Sequence, residues 1–135
     1  MAKILIIDDE PEVCDNLCRL FDRLGWAAHR ETDPAAVYPT VRGCKPDVVL
    51  LDVSMPGMDG FQVLSLIRGD PEVATTPVVM YSAVDDERTI DRALAAGADD
   101  YVVKGTPLSE LRNRVSLFVP RHRPPGDKHG EGVDN

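Results

Sequence analysis

Apolar runs of strand length punctuate this chain, and each stops at a polar side chain. Ile4-Leu5-Ile6-Ile7 stops at Asp8-Asp9, and Val48-Val49-Leu50-Leu51 stops at Asp52. Val78-Val79-Met80-Tyr81 stops at Ser82, and Tyr101-Val102-Val103 stops at Lys104. Runs without polar alternation fit strands covered on both faces, as in a parallel sheet. Trp26 to Glu31 reads as one more strand, less clearly marked. Between these runs apolar residues recur at helical spacing: Val13, Leu17, Leu20, Phe21 and Leu24; Phe61, Leu64 and Ile67; Ile90, Ala93, Leu94 and Ala95; Leu108, Leu111, Val115 and Phe118.

Prolines, glycines and acids mark where the helices begin and end. Pro11 suits a first helical turn and Gly25 a C-terminal stop. Thr32 or Asp33 with Pro34 opens a second helix, through about Arg42. Pro39 lies inside it, which predicts a helix that is bent, short or ended early. The loop Ser54-Met55-Pro56-Gly57-Met58-Asp59-Gly60 precedes a third helix, with Asp59 as its cap. Asp85 or Asp86 starts a fourth, which Gly97 ends, and Pro107 opens a fifth. Five βα units predict an α/β fold, a (βα)5 doubly wound parallel five-stranded sheet with helices on both faces. Function in such sheets sits outside the carboxyl ends of the strands. The strand ends therefore deliver acid, acid, hydroxyl and amine to one edge.

The 135 residues predict one domain, over 1–119. From Pro120 onward apolar residues nearly vanish, so 120–135 is expected to be a disordered polar tail or the start of a linker. Formal net charge is -8, and the tail's charges cancel, so the excess belongs to the folded part. That balance argues against direct binding to nucleic acid or an anionic membrane, but not against a basic protein partner. No segment reaches the roughly 18 apolar residues of a membrane helix, and Met1-Ala2-Lys3 leads straight into a strand without a secretory leader pattern. Cys14, Cys18 and Cys44 lack CxxC spacing and read as small apolar residues in a reducing, cytoplasmic setting.

Asp8, Asp9 and Asp52, on strands expected to be neighbours, would repel one another unless a cation neutralised them. Hard oxygen ligands without His or Cys suit Mg²⁺. Each aspartate taken alone reads as a helix or turn cap; the three together favour the metal. A carboxylate can also act as a nucleophile on phosphorus. The protein's task is then positioning and charge stabilisation, for which Ser82 offers a hydroxyl and Lys104 a positive charge. Individually those two read as a wet strand end and a solvated lysine; their joint placement changes the reading.

The chain resembles the receiver domains of two-component response regulators. The likeness lies in Ile6-Ile7-Asp8-Asp9-Glu10, Leu51 to Gly60, Tyr81-Ser82-Ala83 and Gly97 to Lys104, and extends over about residues 3 to 118. It implies the flavodoxin-like receiver fold and Asp52 as phosphoacceptor, served by a histidine kinase or histidine phosphotransfer protein. It implies Mg²⁺ held directly by Asp9, Asp52 and the backbone carbonyl of Ser54, with Asp8 acting through water. Ser82 would contact the phosphoryl group and Lys104 would pair with it. Tyr101 would be the switch aromatic, turning inward as Ser82 moves; its plainer reading is a strand residue packed on the last helix. Ser54 and Val84 fall where dephosphorylation is influenced in the family. One departure stands out: Gly105 follows Lys104 where the family usually has proline after a cis bond. The Lys104–Gly105 bond is therefore expected to be trans or mobile.

These residues imply a stand-alone phosphorylation switch that catalyses only its own phosphorylation and dephosphorylation. It would be a monomer or a phosphorylation-dependent dimer, and would pass its signal to a downstream protein through the face of the fourth helix, fifth strand and fifth helix. Asp100 and Arg114 on that face are expected to pair across or within subunits. Two other readings stay open: a phosphate-independent adaptor, and a phosphatase of the haloacid-dehalogenase type. The second is weakened by Ser54, which stands two residues after Asp52 where that class places an acid.

Overall fold

The computed structural model describes residues 1–119; the tail expected over 120–135 lies outside the described residues. Five parallel strands form one sheet: β1 (Lys3–Ile7), β2 (Ala27–Glu31), β3 (Val48–Leu51), β4 (Val78–Ser82) and β5 (Asp100–Val103). Their order is β2-β1-β3-β4-β5, with every pairing parallel. The helices are α1 (Pro11–Arg23), α2 (Val37–Cys44), α3 (Gly60–Gly69), α4 (Glu87–Ala95) and α5 (Leu108–Ser116).

The alternation of strand side chains divides the core into two layers. Ile4, Ile6, Val48, Leu50, Val79 and Val102 face α1 and α5, where Leu17, Phe21, Leu111 and Val115 meet them. Leu5, Ile7, Val49, Leu51, Val78 and Met80 face α2, α3 and α4, where Val37, Val41, Leu64, Ile67 and Ala93 meet them. β1, β3 and β4 are buried along nearly their whole length because helices cover both faces, which is why their sequences carry no polar alternation. β2 lies at the edge and is half-exposed, which explains its weaker sequence signal.

Several expectations are corrected in detail. The second helix is short, as expected, but it does not end at Pro39. A 3-10 turn, Pro34–Ala36, comes first, its Asp33 carboxylate accepting the Ala35 N–H at 3.0 Å. Pro39 then falls in the first turn of α2, where a backbone N–H has no helical partner to lose. On α3 the inner face is Val63, Leu64 and Ile67; Phe61 is only half-buried, beneath the Arg92 guanidinium at 3.9 Å. Leu94 and Leu108, expected inside, are each 44% exposed. Asp100 and Arg114 pair within the chain, one of the two arrangements expected, at 2.6 and 2.9 Å, and Arg114 also donates to the Tyr101 carbonyl at 3.0 Å.

Candidate functional site

Sheet register assembles the site. Ile7 pairs with Leu51, so Asp8 and Asp52 leave neighbouring strands at one level, and the Asp52 N–H donates to the Ile7 carbonyl at 3.1 Å. Ser82 pairs with Val103, and the Lys104 N–H donates to the Ser82 carbonyl at 2.8 Å. The strand order reverses between β1 and β3, the switch point at which open α/β sheets leave a crevice.

The structure brings Asp8, Asp9 and Asp52 together, with one carboxylate oxygen from each lying within 4.8 Å of the others. Asp8 and Asp52 are buried, and Asp9 is half-exposed. The Lys104 ammonium reaches into this group, 2.6 Å from Asp8, 3.3 Å from Glu10 and 3.5 Å from Asp52. Burial pushes the Asp52 carboxyl up, the Lys104 charge opposes that, and the Asp8 charge adds to it. Burial also works against the Lys104 ammonium, but Asp8, Asp52 and Glu10 outweigh it and hold the group well above the ordinary lysine value. Cys14 lies beneath, its buried Sγ–H directed at the Asp8 carbonyl at 3.6 Å. Burial first, and then the Asp8 charge, push this thiol up to about 11.

The remaining walls come from loops. After Asp52 the chain folds into a small ribbon in which Ser54–Met55 pairs with Met58–Asp59, and the Ser54 N–H donates to Asp52 Oδ1 at 3.4 Å. The ribbon returns at Gly60, whose N–H donates to the Val53 carbonyl at 2.8 Å. A Cβ at Gly60 would lie 2.4 Å from the Asp52 carbonyl oxygen, so only glycine fits there. Asp59 accepts the Phe61 N–H at 2.8 Å and caps α3, as its position suggested. Ser82 is buried and its Oγ accepts the Val84 N–H at 3.2 Å. Tyr101 lies inward, 5% exposed, with its hydroxyl donating to the Val84 carbonyl at 2.6 Å. The Lys104–Gly105 bond is trans, as expected, and Gly105 has φ +102°.

An all-oxygen donor set with adjacent, mutually repelling acids fits a hard divalent cation such as Mg²⁺. Asp8, Asp9, Asp52, Ser54, Ser82 and Lys104 lie at this edge, and Tyr101, within β5, reaches towards it through its hydroxyl at the Val84 carbonyl. Two contributors were not read from the sequence: the Glu10 side chain, and the steric demand at Gly60. Glu10, a poor cap residue directly before Pro11, was the available signal for the first of these.

Comparison with known proteins agrees with this geometry. The profile of the response regulator receiver domain matches residues 4–116. The chain belongs to the response regulator receiver domain family. It is 36% identical over 120 residues to the DNA-binding response regulator MtrA of Mycolicibacterium smegmatis, a match covering 89% of this chain and 51% of that protein. It is 31% identical over 133 residues to the DNA-binding dual master transcriptional regulator RpaA of a Synechocystis strain, covering 97% of this chain and 55% of that one. The chain thus spans about half the length of these two regulators. Among solved structures, the BeF3-activated N-terminal receiver domain of Klebsiella pneumoniae RstA superposes with a TM-score of 0.82 at 28% identity, covering 88% of this chain and 99% of that one. Vibrio cholerae CheY4, at 23% identity and a TM-score of 0.81, shares the fold. Phosphorylation on an aspartate is typical of two-component receivers, which are not enzymes in the usual sense and generally bind Mg²⁺ at an acidic cluster. Among the described residues no helix is long and apolar enough to cross a membrane.

Proposed function

We propose that Asp52 accepts a phosphoryl group from a histidine kinase or histidine phosphotransfer protein. The observation that carries this reading is the placing of a buried Asp52 at the end of the central strand, with Asp8 and Asp9 close by and the Lys104 ammonium 3.5 Å away. An oxygen of Asp52 attacks phosphorus; the new P–O bond forms as the bond to the donor's leaving group breaks, and the electron pair departs with that group. Asp9, Asp52 and the Ser54 carbonyl would hold Mg²⁺, with Asp8 assisting through water. The ion, when bound, supplies charge neutralisation for the incoming phosphoryl oxygens. Lys104 and the Ser82 hydroxyl would bind those oxygens from the protein side. The chain's only chemistry would be its own phosphorylation and dephosphorylation.

The output surface in this reading is the face of α4, β5 and α5, where Leu94 and Leu108 stand exposed. Ser82 and Tyr101 form the switch that links it to Asp52. Tyr101 already lies inward here, so phosphorylation would act by favouring this position over an outward one. The partner would be a downstream protein, met by a monomer or a phosphorylation-dependent dimer. The test is label uptake from a small phosphodonor with Mg²⁺. Wild type should be labelled stoichiometrically and Asp52→Asn should take up none; a labelled Asp52→Asn protein would sink the assignment.

A further inference from the structure

Glu10 lies outside the phosphoacceptor set described above, yet it touches that set twice. Its N–H donates to Asp8 Oδ1 at 3.0 Å, and its carboxylate accepts from Lys104 Nζ at 3.3 Å, across 94 residues of chain. It is the cap residue of α1, at φ -94° and ψ 109°, but its side chain makes no cap hydrogen bond. Glutamate is a poor cap, and Pro11 already starts the helix. The side chain therefore makes no hydrogen bond to its own helix and turns to the lysine instead. Lys104 in turn sits closer to Asp8 (2.6 Å) and Glu10 (3.3 Å) than to Asp52 (3.5 Å).

We infer that Glu10 is a positioning residue that holds Lys104 on the Asp8 side of the pocket and so weakens capture of an anionic phosphodonor. The inference rests on Asp52 being the phosphoacceptor. A phosphoryl group arriving there has to draw Lys104 away from two carboxylates rather than one. Glu10 is exposed, so its share of the ion pair is screened and its effect is modest. The positive φ of Gly105, directly after the lysine, is a backbone state that glycine adopts without strain, so the conformation that seats Lys104 here costs little.

The test is a titration of acetyl phosphate into the full chain with Mg²⁺, separating the half-saturating donor concentration from the maximal labelling rate. Glu10→Gln keeps size and the backbone N–H and removes only the charge. It should lower the half-saturating concentration about two- to fivefold, with the maximal rate little changed. Glu10→Asp should restore part of the wild-type value. Glu12→Gln removes an exposed acid from the same turn that makes no contact with Lys104, and should leave the value where it was. In a Lys104→Met background, Glu10→Gln should have no effect. Unchanged melting temperatures would show that each variant folds. Normal labelling of Asp52 with no shift in Glu10→Gln overturns the inference alone, as does an equal shift in Glu12→Gln, which would reveal a general charge effect. Absence of label on wild-type Asp52 overturns the functional reading, and this inference with it.

Discussion

The two ends of the sheet handle charge in opposite ways. At the amino edge the ions are matched. Arg68 donates to the carbonyls of Gly97 (3.0 Å), Ala74 (3.2 Å) and Thr76 (2.7 Å) and pairs with Asp99 at 2.9 Å. The same Asp99 oxygen accepts the Val78 N–H at 2.8 Å, so one ion pair closes α3 onto the start of β4. At β1, Asp47 accepts the Lys3 N–H at 2.7 Å while the Lys3 ammonium donates to the Cys44 carbonyl. At the carboxyl edge, Asp8, Glu10 and Asp52 share Lys104, the one cation paired with them among the described residues, and Asp9 stands beside Asp8 and Asp52. Buried charge that lacks a partner costs stability, and pairing with hydrogen bonds offsets much of that cost. One edge therefore holds the fold together, and the other keeps an unmet demand for cations that a ligand can satisfy.

If this contrast is right, the largest loss of stability should come from the edge far from the chemistry. Arg68→Met removes the cation beside Asp99 and the donor to three carbonyls and should cost about 3 kcal/mol, read as a lower denaturation midpoint, while Asp52 labelling with Mg²⁺ persists. A loss below about 1 kcal/mol would show the amino-edge network to be ornamental. Gly60→Ala should come next. Its Cβ meets the backbone of Asp52 and Val53, so the ribbon must shift, at about 2 kcal/mol. Here the labelling rate should fall together with stability, because the displaced backbone carries the phosphoacceptor. Asp52→Asn should have the smallest effect on stability and the opposite sign. The Asp52 carboxyl is raised above its ordinary value, so the folded state binds the proton more tightly than the unfolded chain. Its contribution to stability then falls as pH rises from the ordinary carboxylate value through the raised one, leaving a penalty at neutral pH. In chelator, Asp52→Asn should therefore melt above wild type at pH 7, and the gap should close as pH falls below the ordinary value. Excess Mg²⁺ should raise the wild-type melting temperature and leave Asp52→Asn nearly unmoved.

The same contrast explains what the sequence disclosed. Strands β1, β3 and β4 were legible because burial on both faces excludes polar residues, so each run and its terminal acid or hydroxyl stood out. Register then carried Asp8, Asp52, Ser82 and Lys104 to one edge without further information. Helix faces were less legible. Phe61 and Val63 stand on opposite flanks of the Leu64–Ile67 stripe of α3, and spacing alone does not say which flank meets the sheet. The choice follows from Gly60 pressing against the backbone of Asp52 and Val53, a contact no local pattern records. Leu94 and Leu108 were misplaced because a leucine at the right spacing does not disclose whether another element covers it. The sequence also could not say which of two adjacent aspartates the lysine prefers. Asp8 is buried and takes the 2.6 Å contact, while Asp9 stays at the rim; side-chain direction beyond the strand end decides this.

Cys14 carries a practical consequence. Its sulfur is sealed beneath the first strand's end and held as a neutral thiol far above physiological pH. Alkylating reagents and peroxide attack thiolates, and only where they can reach them. The residue is thus silent in the closed molecule and becomes reactive only when the first helix lifts off the sheet. Its rate of alkylation is therefore a clock for opening directly under the acidic pocket, read apart from the half-buried Cys18 and Cys44.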